Sequence, residues 1–168
     1  MTTDEIKNLV VSKANQYGIN PGIALAQIGR ESSFNPRAVG SSGERGLGQF
    51  MAGTWARFGQ GSFDNAFDPA MNLDAWGNYM VYLMGLFNGD YIKALTGYNG
   101  GEGHLTNPEK YGPPSQAARN YAQAIYNQAG FTESSVVHLD QVTVSPEGFP
   151  IWLLIGGIGL LVWFAFSD

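Results

Sequence analysis

Apolar positions recur at helical spacing along most of residues 1–130, lapse between 131 and 148, and then run together without a break from Phe149 to Phe166. The first segment opens on Thr2-Thr3-Asp4-Glu5, the pattern of a capping box, and carries Ile6, Leu9, Val10, Ala14 and Tyr17 on one face until Gly18 stops it. Asn20 and Pro21 start a second helix, in which Ile23, Leu25 and Ile28 lead to Glu31. From Ser33 to Gly46 the residues Pro36, Gly40, Ser41, Ser42 and Gly43 resist both helical and strand periodicity, so this stretch reads as loop. Leu47 to Phe58 returns to a helical pattern, with Leu47, Phe50, Met51 and Trp55 on one side. Asp68-Pro69 repeats the cap-and-proline start. Met71, Leu73, Trp76, Tyr79, Met80, Leu83 and Phe87 then mark the longest and most apolar of these helices, which is expected to be central. Asp90 caps a shorter helix through Leu95 that delivers Tyr98 and Asn99 at its exit, where Gly100, Gly101 and Gly103 release the chain. A last helix spans Pro113 to Ala129, with Ala117, Tyr121, Ala124 and Ile125 aligned and Gly130 closing it. No internal repeat emerges.

This pattern predicts an all-α domain over 1–130, a linker over 131–148 and a different kind of segment over 149–166. Val136, His138, Asp140, Val142 and Val144 alternate, but a single strand has no evident partner, so a linker is preferred. The run FPIWLLIGGIGLLVWFAF carries no charge. As a helix it spans about 27 Å at 1.5 Å per residue, close to the roughly 30 Å hydrocarbon core of a bilayer. Trp152 and Trp163 stand near its two ends, where interfacial aromatics are favoured. A single C-terminal transmembrane helix is therefore expected, since a helix apolar on every face fits a soluble core poorly. Gly156, Gly157 and Gly159 do not make the full GxxxG spacing of a dimerising span. At the other end, Met1 to Val11 holds Asp4, Glu5 and Lys7 where a secretory signal has a basic patch and an apolar run, so no signal peptide is expected and anchoring falls to the tail.

Composition narrows the function classes. Apolar residues make up 44% of the 168, enough for a buried core. The net charge of −5 and the nine scattered Lys and Arg leave no basic footprint, so nucleic acid is not an expected partner. With no cysteine there is neither a disulfide framework nor a thiolate metal cage. His104 and His138 are too few and too far apart for a metal site, and Met71, Met80 and Met84 at helical spacing read as core, so no metal and no cofactor are expected.

Five blocks carry the chemistry, in this order: Glu31-Ser32-Ser33-Phe34-Asn35-Pro36, Gly43 to Gln49, Met51-Ala52-Gly53-Thr54-Trp55, Gly97-Tyr98-Asn99-Gly100-Gly101 and Arg119-Asn120-Tyr121. One carboxylate pinned at a helix end and faced by amide and phenol groups is the minimum equipment for cleaving a sugar–sugar bond by proton transfer. Each block has a plainer reading taken alone. Glu31 is then a capping or surface carboxylate, Tyr98-Asn99-Gly100-Gly101 a helix-stop turn and Tyr121 one more buried ring. Taken together, the blocks resemble the family 1 lytic transglycosylases of the soluble (SLT) type in the lysozyme-like superfamily. That family's pattern runs E-S-x-F-x-P, G-x-x-G-L-x-Q, M-x-x-T-W/A, A-Y-N-A-G and R-x-Y. The resemblance covers roughly residues 5 to 129. Gly40 departs from it, standing where the family usually has Ser near its acid, with Ser41 or Ser42 as substitutes. Gly48 stands where Met is frequent, and Gly97 and Gly100 where alanines are usual.

The resemblance implies a lysozyme-like (goose-type/SLT) helical catalytic domain over 1–130, with Glu31 as acid and base. Partial burial beside Phe34, Phe50 or Tyr98 would keep that carboxyl protonated near neutral pH. Ser41, Gln49, Met51, Tyr98, Asn99 and Tyr121 are the expected substrate-binding residues, Gln49 and Asn99 offering amides to N-acetyl groups and hydroxyls, and Tyr98 placing its hydroxyl on Glu31 or on substrate. Ordinary glycosidases pair two carboxyls, and Glu44, Asp64 and Asp68 are available as a second, although none sits in a recognisable motif. The family needs none: the C6 hydroxyl of N-acetylmuramic acid attacks its own anomeric carbon, leaving a 1,6-anhydro end. Expected partners are peptidoglycan glycan strands, cut at the β-1,4 bond between N-acetylmuramic acid and N-acetylglucosamine, and a lipid bilayer reached through 149–166. A hydrolytic muramidase on the same scaffold and a non-catalytic, membrane-anchored wall-binding protein are the alternatives. A wall enzyme with a tail anchor and no signal peptide fits the virion membrane of a bacteriophage that opens the wall on entry, or else the bacterial cell envelope.

Overall fold

The computed structural model describes residues 1–131 and the backbone of residues 154, 155, 158 and 159. The chain divides into two compact units, Met1–Glu133 and Ser134–Asp168. The first is helical, and its helices begin where the sequence places oxygen-bearing caps. Helix α1 (Thr3–Gln16) opens on a reciprocal box in which the Thr2 N–H donates to Glu5 Oε2 (2.7 Å) and the Glu5 N–H to Thr2 Oγ1 (3.2 Å). Helix α2 (Pro21–Ser32) is capped by Asn20, whose Oδ1 accepts from Gly22 and Ile23. A short α3 (Ala52–Phe58) and a 3-10 turn (Phe63–Phe67) precede α4 (Pro69–Leu86), which Asp68 caps through the Met71 N–H. Then come α5 (Tyr91–Gly100), two single-turn helices α6 (Gly103–Thr106) and α7 (Pro108–Tyr111), and α8 (Gln116–Gln128).

Helix α4 is the central element, as its apolar length predicts. Leu73, Trp76, Met80 and Leu83 are fully buried, and the helix packs on α1, α3, α5 and the 3-10 turn. Each such side chain contributes roughly 1.5–3 kcal/mol on leaving water. Helix α5 lies against α8, and α8 returns to α2. That return sets both ends of the helical unit's sequence, α1 and α8, against α2. The end of α1 is pinned to α4 at one point, where Lys13 Nζ (2.5 Å) and the Tyr17 hydroxyl (3.0 Å) both donate to Asp74 Oδ1. Gly77, one turn further along α4, lies directly beneath the Tyr17 ring.

Four expectations need correction. The helix expected from Leu47 begins only at Ala52, because Gly46 and Gln49 have φ of +75° and +48°, and no α-helix continues through left-handed backbone. Residues 45–50 instead form a tight corner in which Arg45 and Phe50 exchange both backbone hydrogen bonds. Leu47 and Phe50 are buried all the same, so the apolar spacing reported burial correctly and helix wrongly. Helix α5 runs past Leu95 to Gly100, so Tyr98 and Asn99 occupy its last turn, and Gly101 at φ +90° ends it. Glycine is needed at residue 100 for packing, since a Cβ there would stand 2.9 Å from that of Ala118 on α8. The last helix starts at Gln116, capped by Ser115, and its buried face is Ala118, Tyr121, Ala122 and Ile125. Helices α6 and α7 were not foreseen, although Asn107-Pro108 repeats the cap-and-proline signal of Asn20-Pro21.

Apart from Phe131, the linker expected over 131–148 lies outside the described residues, as does most of the helix expected over 149–166. At the four described positions of that helix the chain is extended: β1 (Leu154–Ile155) pairs antiparallel with β2 (Ile158–Gly159). Among the described residues no helix is long and apolar enough to cross a membrane.

Gly77→Ala tests the packing of α1 on α4. Helix propensity alone favours alanine by about 1 kcal/mol. Its Cβ, however, would stand 2.3 Å from Tyr17 Cδ2. The expected net outcome is a loss of about 1–3 kcal/mol, read as a lower urea midpoint at unchanged slope.

Candidate active site

Glu31 sits in the last turn of α2, one helical turn beyond Gln27 and on the same face. The chain turns away immediately afterwards, through left-handed Ser33 (φ 52°) and Phe34 (φ 63°). Phe34 therefore folds back toward Gly29 and beneath Lys7, and does not line the cleft beside the acid. Opposite Glu31 stands the corner at residues 46–50. Its anchor is Asn72, fully buried on α4: Oδ1 accepts from the Gly48 N–H (2.7 Å), and Nδ2 donates to the Ala66 (2.7 Å) and Arg45 (3.3 Å) carbonyls. Gly46 must be glycine there, since a Cβ would lie 2.0 Å from the Ala66 oxygen. Helix α5 supplies Tyr98 and Asn99, and α8 supplies Tyr121.

These elements enclose a cleft of about 290 Å³. Glu31, Ser41, Gln49, Met51, Tyr98 and Asn99 all line it, so six of the seven residues singled out in the sequence meet at one place. Tyr121 stands behind them, 6% exposed, and its hydroxyl donates to Glu31 Oε1. Tyr98 does not reach the acid as a donor; its hydroxyl donates to the Gly48 carbonyl at 2.8 Å and so ties α5 to the corner. A Cβ at Gly48 would lie 2.9 Å from that hydroxyl, which is why glycine suits this position. Gln49 spends its Nε2 on the Gly46 (2.8 Å) and Ala38 (3.4 Å) carbonyls, keeping its Oε1 as the group presented to the cleft.

Burial pushes the Glu31 carboxyl up to about 7, and the charge of Glu44 adds to the rise, while the Tyr121 hydrogen bond and the Arg30 guanidinium oppose it. The phenols of Tyr121 and Tyr98 are driven well above the ordinary range, first by burial and then by the charge of Glu31, so both remain protonated donors. Beneath Tyr121 lies Gln27, fully buried, whose Oε1 accepts from the Trp76 indole N–H (3.0 Å). Its amide opposes the rise at Tyr121, yet Nε2 makes no hydrogen bond of good geometry. Gln27 was missed in the sequence. Its signal was a lone amide within the apolar stripe of α2.

Two further lining residues also escaped notice, Thr54 of the Met51–Trp55 block and Tyr79 of α4. The Tyr79 hydroxyl donates to Glu102 Oε2 (3.1 Å), and Glu102 pairs with Arg57 (2.8 Å). Of the three candidate second acids only Glu44 enters the cleft; Asp64 pairs with Arg45 (2.7 Å) at the surface and Asp68 caps α4. The side chain missing at Gly40 is replaced neither by Ser41 nor by Ser42 but by this carboxylate. A Cβ on residue 40 would stand 2.3 Å from Glu44 Oε2 and 2.8 Å from Gln49 Oε1. Among the described residues no group of three His, Asp or Glu is close enough together to hold a metal ion.

Residues 8–121 match the Transglycosylase SLT domain family. The chain is 29% identical over 158 residues to peptidoglycan transglycosylase gp16 of Escherichia phage T7, covering 87% of this chain and 12% of that protein. It is 37% identical over 112 residues to membrane-bound lytic murein transglycosylase C of Yersinia enterocolitica, covering 58% of this chain and 31% of the relative. It thus spans less than a third of either. The lytic transglycosylase Slt of Pseudomonas aeruginosa superposes on 73% of this chain and 23% of its own, with a TM-score of 0.63 at 24% identity, a likeness of fold.

The raised carboxyl ties the site to stability. Glu31 is protonated up to about pH 7 in the folded chain, against 4.5 for an ordinary glutamate. Between those values the folded state holds a proton the unfolded state has released, so stability falls as pH rises through the window and the loss is complete above it. Glu31→Gln removes the titration. It is expected to raise stability over the unaltered chain by about 3 kcal/mol at about pH 8 and by little at about pH 4, read from urea unfolding at each pH.

Proposed function

This chain belongs to the Transglycosylase SLT domain family, and from that membership we propose that it is a peptidoglycan lytic transglycosylase. The substrate is the glycan strand, cut at the β-1,4 bond between N-acetylmuramic acid and N-acetylglucosamine. The observation that carries this reading is a single carboxyl, half-buried in a sugar-sized cleft, whose proton is retained to about pH 7. Glu31 gives that proton to the glycosidic oxygen as the bond to the anomeric carbon breaks. Then, as carboxylate, it takes a proton from the C6 hydroxyl of the same muramic acid as that oxygen closes on the anomeric carbon. The Tyr121 hydroxyl steadies the carboxylate between the two steps. Burial of the pair by α2 and α8 keeps it rigid. Gln49, Asn99, Ser41 and Met51 hold the sugars, the amides through acetamido and hydroxyl groups and Met51 through its half-exposed thioether arm. Relatives named as a peptidoglycan transglycosylase and a lytic murein transglycosylase support the same substrate.

The setting forms part of the proposal. The uncharged run at 149–166 supports contact with a lipid bilayer, and likeness to a phage transglycosylase supports a virion role in opening the wall, with the bacterial envelope as the other setting.

Digestion of purified peptidoglycan followed by mass spectrometry is expected to yield 1,6-anhydro ends. Glu31→Gln should lower their rate of formation by about 10²–10⁴-fold. The rate should also decline as pH rises beyond about 7, where the acid form is lost. Unchanged wall degradation by Glu31→Gln would overturn the assignment. Lipid contact has its own check: the full chain should float with phospholipid vesicles in a density gradient, and a Leu160→Asp, Val162→Asp double variant should not.

A further inference from the structure

Gln27 is a fully buried amide one helical turn before Glu31, and the proton transfers described above make no use of it. Its two ends are not interchangeable. The indole N–H of Trp76, also fully buried, can only donate, and it donates to Gln27 Oε1 at 3.0 Å. The amide is thereby held one way round, with Nε2 at the opposite end, where the group it acts on is the Tyr121 phenol. Nε2 is shut off from solvent and makes no hydrogen bond of good geometry among the described residues. Burying such a donor costs stability that an apolar side chain of the same length would not lose.

A phenol has one proton to give and lone pairs with which to receive. With Nε2 on one side of it, the Tyr121 oxygen receives from that side and sends its own proton to Glu31 Oε1. We propose that Gln27 is a positioning residue for the acid: fixed by Trp76, it obliges the Tyr121 hydroxyl to donate to Glu31, so that the transferable proton of Glu31 is carried on Oε2, toward the sugar. The inference rests on the peptidoglycan reading above. Turned the other way, the Gln27 carbonyl would take the phenol's proton, and the Tyr121 oxygen would accept the acid proton of Glu31 and hold it away from the cleft. The same row of donors acts after the transfer. Once Glu31 is a carboxylate it draws the Tyr121 proton closer, the phenol oxygen becomes a better acceptor, and the bond from Nε2 closes at that stage. Interactions that strengthen as the reaction proceeds are the ones that accelerate it. The other groups bearing on Glu31 are Arg30 on α2, Glu44 across the cleft and Tyr98 on α5, which Tyr79 of α4 backs in turn; Lys7 of α1 lies over Phe34. All of these stay in place in the variants below.

The test is the titration of the Glu31 side-chain carboxyl, followed by carbon-13 NMR on the full chain. Gln27→Met keeps the length of the side chain and removes the amide. The Glu31 midpoint should then rise by about half to one pH unit, the equivalent of one ordinary hydrogen bond. At about pH 5, where Glu31 is protonated in both chains, release of 1,6-anhydro ends should fall about tenfold, a part of what a positioned acid contributes. Tyr121→Phe supplies the control, because Gln27 acts through that hydroxyl: on this background Gln27→Met should leave the midpoint where it is. A second measurement needs no variant, and so no variant that folds. The Nε2 protons of Gln27 in the unaltered chain should shift as pH passes through about 7, in step with Glu31. An unmoved midpoint or rate in Gln27→Met, a shift as large without the Tyr121 hydroxyl, or Nε2 protons indifferent to pH overturns the proposal. The titration involves no substrate, so its outcome is separate from the reading beneath it, which wall cleavage retained by Glu31→Gln overturns.

Discussion

A carboxyl taken out of water must be met by something, and in this chain the Tyr121 hydroxyl meets it. Burial of Glu31 favours the neutral acid, and the hydrogen bond from Tyr121 and the charge of Arg30 offset only part of that preference. The remainder is a proton kept to about pH 7. Much of the helical unit serves this one contact. Helix α8 must return to α2, so α5 is placed against α8 and glycine is needed at residue 100, where no Cβ fits beside Ala118. Gln27 and Trp76 fill the space beneath, so the phenol cannot retreat from the acid. The site is costly to fold and useful for proton transfer for the same reason.

The opposite wall of the cleft is made by close approach of backbone. Asn72 gathers the Gly48 N–H and two carbonyls from separate segments, and Tyr98 closes on the Gly48 carbonyl from α5. Neither contact tolerates side chains at residues 46 and 48. Gly40 has a different consequence. Where the related family places a serine, this chain leaves room that a charged group two residues beyond Ser42 comes to fill. A neutral hydroxyl contact is thereby exchanged for a carboxylate.

Helix starts were legible because caps are local. Thr2, Asn20, Asp68, Asp90 and Ser115 all accept from N–H groups two or three residues on, and each carries that signal in its own sequence neighbourhood. Ser115 was passed over in favour of the prolines before it, and Asn107 because the helix it caps is a single turn. The corner at 46–50 was misread for the opposite reason. Leu47 and Phe50 have helical spacing and are buried, yet what fixes the backbone there is a left-handed Gln49 and an asparagine on a distant helix.

The sequence by itself determined the longer helices, their order, the placement of Glu31 at a helix end and most of the polar residues that share its cleft. Those properties follow from interactions spanning three or four residues and from motif order. Only the tertiary structure decided which phenol meets the acid and which carboxylate joins it. Tyr98 was the expected partner of the acid, but α8 packs on α2 and brings Tyr121 to Glu31 from 90 residues away in sequence, while Tyr98 finds a carbonyl 50 residues away. Glu44, Asp64 and Asp68 were equal as letters. The volume missing at Gly40 separated them, and a volume exists only once the chain has packed around it.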